Sequence, residues 1–299
     1  MEKRGWLTIL LIFGGLFVLL LLFSILVIAA FGEGDMGFGK PKIGVVEITG
    51  TITSSKKTLE HIRTFEHQES IQGVVVRIDS PGGAVAPSQE IYQAVEKLDE
   101  EKPLAVSMGS TAASGGYYIA CGADHIIANP GTVTGSIGVI TQLFNVKGVL
   151  EKLDIEVNTI KTGKFKDAGS PFRKMTDEER KYFAELLGGI YDQFVSAVAE
   201  SRDLAEKKVR EFADGRVFTG KRARELGLVD AVGSFHDAVA YVKDEAGIDR
   251  QVKLKYPEKD EFDFLSDAVE STVDSVTEEV QSRTTPVVEY RYTGPTTGK

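Results

Sequence analysis

The sequence predicts an α/β fold organised around a mainly parallel sheet. Short apolar runs rich in β-branched residues alternate with helix-length segments, the order expected of βαβ units. The runs at 43–48 (IGVVEI) and 74–78 (VVVRI) show little polar alternation, as strands covered on both faces should. Two runs lead into glycine-rich turns, SPGG after VVVRI and ASGG beyond LAVSM.

Residues 43–48 form the first predicted strand. A helix follows over 58–68, with Leu59, Ile62 and Phe65 on one face. The second strand, 74–78, runs into a sharp turn at 79–83 (DSPGG). The next helix, 87–98, places Ile91, Ala94, Val95 and Leu98 at helical spacing. Residues 104–108 are the third strand. Beyond Gly109, STAASGG leads into a short helix at 117–121, and 125–128 is a fourth strand. Crossovers between parallel strands are expected to be right-handed. Thr176 opens a long helix reaching about Ser201, and Thr176 with Glu179 fits a capping box. Its stripe of Phe183, Leu186, Leu187, Ile190, Phe194 and Val198 reads as ordinary core packing. Residues 205–212 are another helix, and 216–233 read as turn, helix, glycine stop and short strand. The spacing of Phe262, Leu265, Val269, Val273, Val276 and Val280 predicts an acidic amphipathic helix, and 286–299 is tail-like. There is no internal repeat.

The 299 residues carry a formal charge of −9, which opposes a nucleic-acid partner. One cysteine, Cys121, excludes an internal disulfide framework. His61, His67, His125 and His236 show no zinc-ligand spacing, so no metal site and no cofactor are expected.

The first thirty residues differ from the rest. Between Arg4 and Glu33 there is no charge, and residues 5–32 are long enough to span a bilayer core as a helix. The alternative is a cleaved signal peptide, with Ala29 and Ala30 near the cleavage point, although its apolar region is normally shorter. Lys3 and Arg4 before the span, and Glu33 and Asp35 after it, keep the N-terminus cytoplasmic and send the body to the other side. The expected organisation is a cytoplasmic N-terminus (1–4), a transmembrane signal anchor (5–32), a linker (33–41), a catalytic domain (42–250) and a C-terminal helix and tail (251–299).

In open α/β sheets, sites form at the carboxyl ends of strands. Gly82 and Gly83 allow backbone N–H groups to approach a developing oxyanion. Ser114 begins a helix just past a strand, which suits an exposed nucleophile; the alternative is a helix N-cap, as a structural turn is for SPGG. A serine nucleophile needs a base. His61 and His67 lie on a predicted surface helix, His125 lies within a strand, and His236 stands near a helix start where it would cap. Lysine serves only if burial lowers its pKa from about 10.4. Lys161, Lys164 and Lys166 share the loop KTGKFKDAGSP, and spacing does not choose among them.

RIDSPGG (77–83), SMGSTAASGGYYIA (107–120), TGSIGVI (134–140), IKTGKFKDAGSP (160–171) and DGRVFTGKRARELGLVD (214–230) together resemble the signal peptide peptidase A family in its short bacterial form. The resemblance covers most of residues 42–245. It implies a Ser–Lys endopeptidase with a crotonase/ClpP-like βαβ spiral fold and C-terminal helices. Carried onto this chain, it makes Ser114 the nucleophile and Lys166 the general base. Gly83 and Gly115 become the oxyanion-hole donors, and Ser136 orients the lysine. It further implies a membrane-held homo-oligomeric ring whose neighbouring subunits share each site. The substrates would be peptides, remnant signal peptides and unfolded segments, met on the extracytoplasmic side of the bacterial cell membrane. Two other classes stand beside it: a crotonase-type acyl-CoA enzyme, and a non-catalytic membrane assembly module acting through the C-terminal acidic helix.

Overall fold

Successive strand residues point to opposite faces of a sheet, so a strand buried on both sides must be apolar at every position. In the computed structural model, which describes residues 13–24, 40–258 and 289–291, this accounts for the uninterrupted apolar runs. Val74, Val76 and Ile78 enter one core cluster, while Val75 packs with Ile43, Ala105 and Ile127 in the other. The chain divides into two units, 1–40 and 41–299. In the first, residues 13–24 form helix α1 with exposed side chains. Residues 5–12 and 25–32 of the predicted span lie outside the described residues. Among the described residues no helix is long and apolar enough to cross a membrane.

In the second unit β1 (Lys42–Ile52), β2 (Ile71–Ala84) and β3 (Leu104–Ala113) pair in parallel. Helices α2 (Lys56–His67) and α3 (Val85–Glu101) connect them. After β3 come α4 (Gly115–Ala120), β4 (Ile126–Ala128), β5 (Val133–Gly135) and α5 (Lys147–Lys152). The first half of β3 pairs with β4 and its second half with β5, both in parallel, so the sheet branches there. Helices α6 (Asp177–Ser201) and α7 (Glu206–Arg210), strand β6 (Val217–Thr219), helix α8 (Gly220–Leu226), strand β7 (Ala231–Val232), helix α9 (Phe235–Glu245) and strand β8 (Lys253–Lys255) follow. The main strand order is β6-β5-β3-β2-β1-β8. A last strand, β9 (Glu289–Arg291), pairs antiparallel with Gly82–Ala84 of β2. The sheet is therefore parallel-rich, with antiparallel pairs at β5–β6 and β2–β9.

Three expectations change. DSPGG is not a sharp turn: β2 continues through it to Ala84, with Gly82 at φ 99°. Likewise β3 passes Gly109 and stops only at Ala113. In both places pairing with neighbouring strands continues the ladder beyond the apolar run. Third, the apolar stripe of α6 is core only in its C-terminal half: Phe194 and Val198 are buried, whereas Leu186 is 40% exposed. The Thr176–Glu179 capping box is present. The predicted helix over 262–280 lies outside the described residues.

Helix α4 is wholly buried, and its position is held by side chains behind it. The Tyr117 hydroxyl donates to the Leu228 carbonyl at 2.9 Å. Arg202 bonds the Gly227 carbonyl at 3.1 Å and the Asp230 carboxylate at 2.5 Å. Tyr117→Phe leaves a buried carbonyl without its donor and should cost about 1–3 kcal/mol, read as a lower urea midpoint.

Candidate active site

Gly83, Ser114 and Ser136 stand at the carboxyl ends of three neighbouring strands, β2, β3 and β5. Gly83 is packed against β1 so closely that a Cβ would lie 2.1 Å from the Ile52 carbonyl oxygen. Its lack of a side chain is thus required by strand packing, whatever its N–H does. Gly115 is the buried first residue of α4.

Ser114 has φ 54° and ψ −116°, a region that L-residues other than glycine enter at about 1–3 kcal/mol. The strain is held from both sides. Its N–H donates to the Gly135 carbonyl and its own carbonyl accepts from the Tyr118 N–H, each at 2.8 Å. Although Ser114 occupies the N-cap position of α4, its side chain makes no capping hydrogen bond. Its Oγ is the one buried side-chain polar atom among the described residues with no partner. A buried hydroxyl left unpaired costs about 1–3 kcal/mol, so the arrangement is not a structural cap. Ser136, next to Gly135, also has positive φ (52°), is 6% exposed, and donates its N–H to the Arg216 carbonyl at 2.9 Å.

Several residues that the motifs did not single out hold these strand ends. Asp79 accepts the Thr111 N–H at 3.0 Å. The hydroxyls of Thr132 and Thr134 donate to the carbonyls of Gly109 and Ala112 at 2.7 and 2.6 Å. Asp79 and Thr134 lie within the quoted motifs and Thr132 two residues before TGSIGVI, but which hydroxyl meets which carbonyl depends on strand register.

The three loop lysines separate cleanly. Lys161 pairs with Asp167 and Lys164 with Glu178. Lys166 is exposed, and its side chain makes no hydrogen bond or ion pair with the described residues. Ser114 and Lys166 are therefore not in hydrogen-bond contact within this one chain. The loop is anchored beside Lys166 by Arg173, which bonds Asp167 Oδ2 at 2.8 Å, the Asp167 carbonyl at 3.0 Å and both carboxylate oxygens of Glu179.

Residues 96–249 match the model of peptidase family S49, a span that includes Ser114, Ser136 and Lys166. The chain belongs to peptidase family S49. It is 45% identical to a provisionally named protease of Synechocystis over 230 residues, 76% of this chain and 80% of that one. It is 39% identical to a provisionally named signal peptide peptidase, SppA, of Enterococcus faecium, over 66% of this chain and 58% of that one. The chloroplastic serine protease SPPA of Arabidopsis thaliana is 36% identical over 71% of this chain and 31% of that one. This S49 chain is accordingly a peptidase by family, like the relatives named proteases.

No histidine of the S49 chain bonds the Ser114 hydroxyl. His125 stacks on Tyr241 with ring centroids 3.7 Å apart, and burial pushes its pKa down. His236 does not cap α9: Ser234 is its N-cap residue, and the Ser234 N–H and hydroxyl donate to Asp237 Oδ2 at 2.6 and 2.7 Å. Burial pushes the Cys121 thiol up to about 11, so it offers no thiolate near neutral pH.

The Arg173 hydrogen bonds hold the Glu179 carboxyl down to about 2, and those of Arg173 and then Lys161 hold Asp167 well below its usual range. Both folded values lie below the unfolded ones, so the anchoring is complete above the ordinary carboxylate range and fades as pH falls from about 4.5 toward 2. Hydrogen-exchange protection across residues 161–173 should fall through that window. In Arg173→Met it should be low already at neutral pH.

Proposed function

We propose that this chain is a membrane-anchored Ser–Lys endopeptidase that degrades remnant signal peptides after export. The observation that carries the reading is the Ser114 hydroxyl: buried, strained in its backbone, and without a partner. Structural serines are bonded; a nucleophile waits for its base and its substrate.

Lys166 is the base we assign, and a neighbouring copy of the chain is where it meets Ser114. Its amine is unengaged within the described residues, and it sits in a run of chain unusually rich in uncovered apolar groups. Leu153, Ile155, Ile160, Phe165, Phe172 and Leu186 are each at least 40% exposed. Exposed apolar surface of this extent marks an interface. Burial between copies disfavours a lysine's charged form, as a base requires. A homo-oligomeric ring with shared sites fits these features, and with them a crotonase/ClpP-like spiral, in keeping with the branching of the sheet at β3.

In this mechanism the neutral amine of Lys166 takes the proton from Ser114 Oγ, which attacks the peptide carbonyl. The N–H groups of Gly83 and Gly115 donate to the oxyanion, and Ser136 orients the amine. Collapse expels the amine half of the substrate, protonated by the Lys166 ammonium, and leaves an acyl-enzyme. Water, deprotonated by the same amine, then releases the acid half. An extended substrate would align by adding a strand beside β2. Glu289–Arg291 is itself an extended backbone paired with Gly82–Ala84, against α3 and α4, and a substrate strand would take its place. The anchor over 5–32 and the extracytoplasmic placement of the catalytic domain complete the proposal. They rest on the charge and apolar pattern of the sequence. The region 251–299, expected as a helix and tail apart from 42–250, instead contributes β8 and β9 to the domain's sheet.

Ser114→Ala and Lys166→Ala should each lower kcat by at least about 10²-fold with the ring intact, because a base alone is worth about 10²–10⁴-fold. A fluorophosphonate probe should label Ser114 in the parent and not in Ser114→Ala. Rings co-assembled from the two inactive variants should regain activity. Preferential cleavage of a peptide library after charged residues would count against signal peptides as the substrate class.

A further inference from the structure

We infer that Ser80 is a positioning residue that holds the proposed oxyanion strand and the nucleophile helix at a set separation. The inference rests on the assignment of Ser114 and Gly83 above. Ser80 is fully buried. Its hydroxyl donates to the Gly50 carbonyl at 2.6 Å and accepts the Gly82 N–H at 3.1 Å. Both bonds sit where the ladders break step. Between β1 and β2 the register moves from Thr49–Asp79 to Thr51–Gly82, which leaves Gly50, at φ 69°, opposite no single residue. Between β2 and β3 it moves from Ile78–Met108 to Ser80–Ala112.

A bulge takes backbone groups out of the regular ladder, and each must find another partner or remain unpaired. The Ser80 hydroxyl supplies one to the Gly50 carbonyl and one to the Gly82 N–H, the residue beside Gly83. The same residue also abuts α4: a Cβ on Gly116 would lie 2.9 Å from the Ser80 carbonyl oxygen and 3.5 Å from its Cβ. One side chain and its backbone thus touch β1, the approach to Gly83 and the helix that begins after Ser114. Fixing Gly83 relative to Ser114 is what an oxyanion donor needs, since its benefit depends on sub-ångström placement.

The test compares Ser80→Ala in the full-length assembled protein with the parent and with Ser107→Ala. Ser107 is a control buried elsewhere on β3, where it accepts from Arg77 at 2.8 Å. Both variants should melt lower. Only Ser80→Ala should lose about 10–100-fold in kcat with KM within about threefold, the scale of a misplaced catalytic group. A peptide aldehyde, which forms a tetrahedral adduct with the serine, should weaken by the same factor, and the Gly82 amide should exchange faster. Ser80→Cys, nearly isosteric with a weaker donor, should fall between parent and Ser80→Ala; it carries the comparison if Ser80→Ala does not assemble. Unchanged kcat and aldehyde affinity, or equal losses in Ser80→Ala and Ser107→Ala, overturn the inference. A fully active Ser114→Ala would sink the underlying reading instead. A silent Ser114→Ala beside a fully active Ser80→Ala removes the positioning role alone.

Discussion

The hydrogen bond from the Ser114 N–H to the Gly135 carbonyl, 2.8 Å long, joins the residue after β3 to the end of β5. It extends the β3–β5 ladder one step beyond the point where the chain must turn into α4. That requirement holds Ser114 at positive φ, and positive φ aims its side chain away from the capping position. The glycines around it answer to contacts of their own. Gly116 has no room for a Cβ against Ser80, and Gly83 has none against Ile52. Strain of this kind persists only where the surroundings over-determine it, and here three strands and a buried helix do so.

Within one chain the proposed site lacks a contact between Ser114 and Lys166, and the parts left open share a character. Ser114, the proposed nucleophile, has no side-chain partner, Lys166 has none among the described residues, and several apolar side chains between Leu153 and Leu186 are uncovered. The N-terminal half of α6 presents part of that surface, although its periodicity matches that of a core helix. The Arg173 clamp on Asp167 and Glu179 keeps the loop ordered without burying it. A loop anchored at its base, with an apolar flank and a free amine, is the surface on which the proposed ring would close.

The sequence made the parallel strands and their helices legible because burial on both faces leaves a signal at every strand position. The capping box at Thr176 was legible because its chemistry lies within four residues. Ser114 and Gly83 could be singled out as candidates, but their rival readings, a cap and a turn, use the same residue types. The lysines could not be ranked, since KTGKFKDAGSP holds three at similar spacing. Short strands such as β6 and β8 left no pattern, because three residues are too few for periodicity to register.

What the sequence determined by itself is local: which runs are apolar and where a helix can start. Tertiary structure decided the rest by pairing distant residues. Register brought Gly135 to Ser114 and Gly50 to Ser80. Ion pairing with Asp167 and Glu178 set Lys161 and Lys164 aside from Lys166. The lack of any partner for one buried hydroxyl is a property of its whole surroundings, and no run of neighbouring letters encodes it.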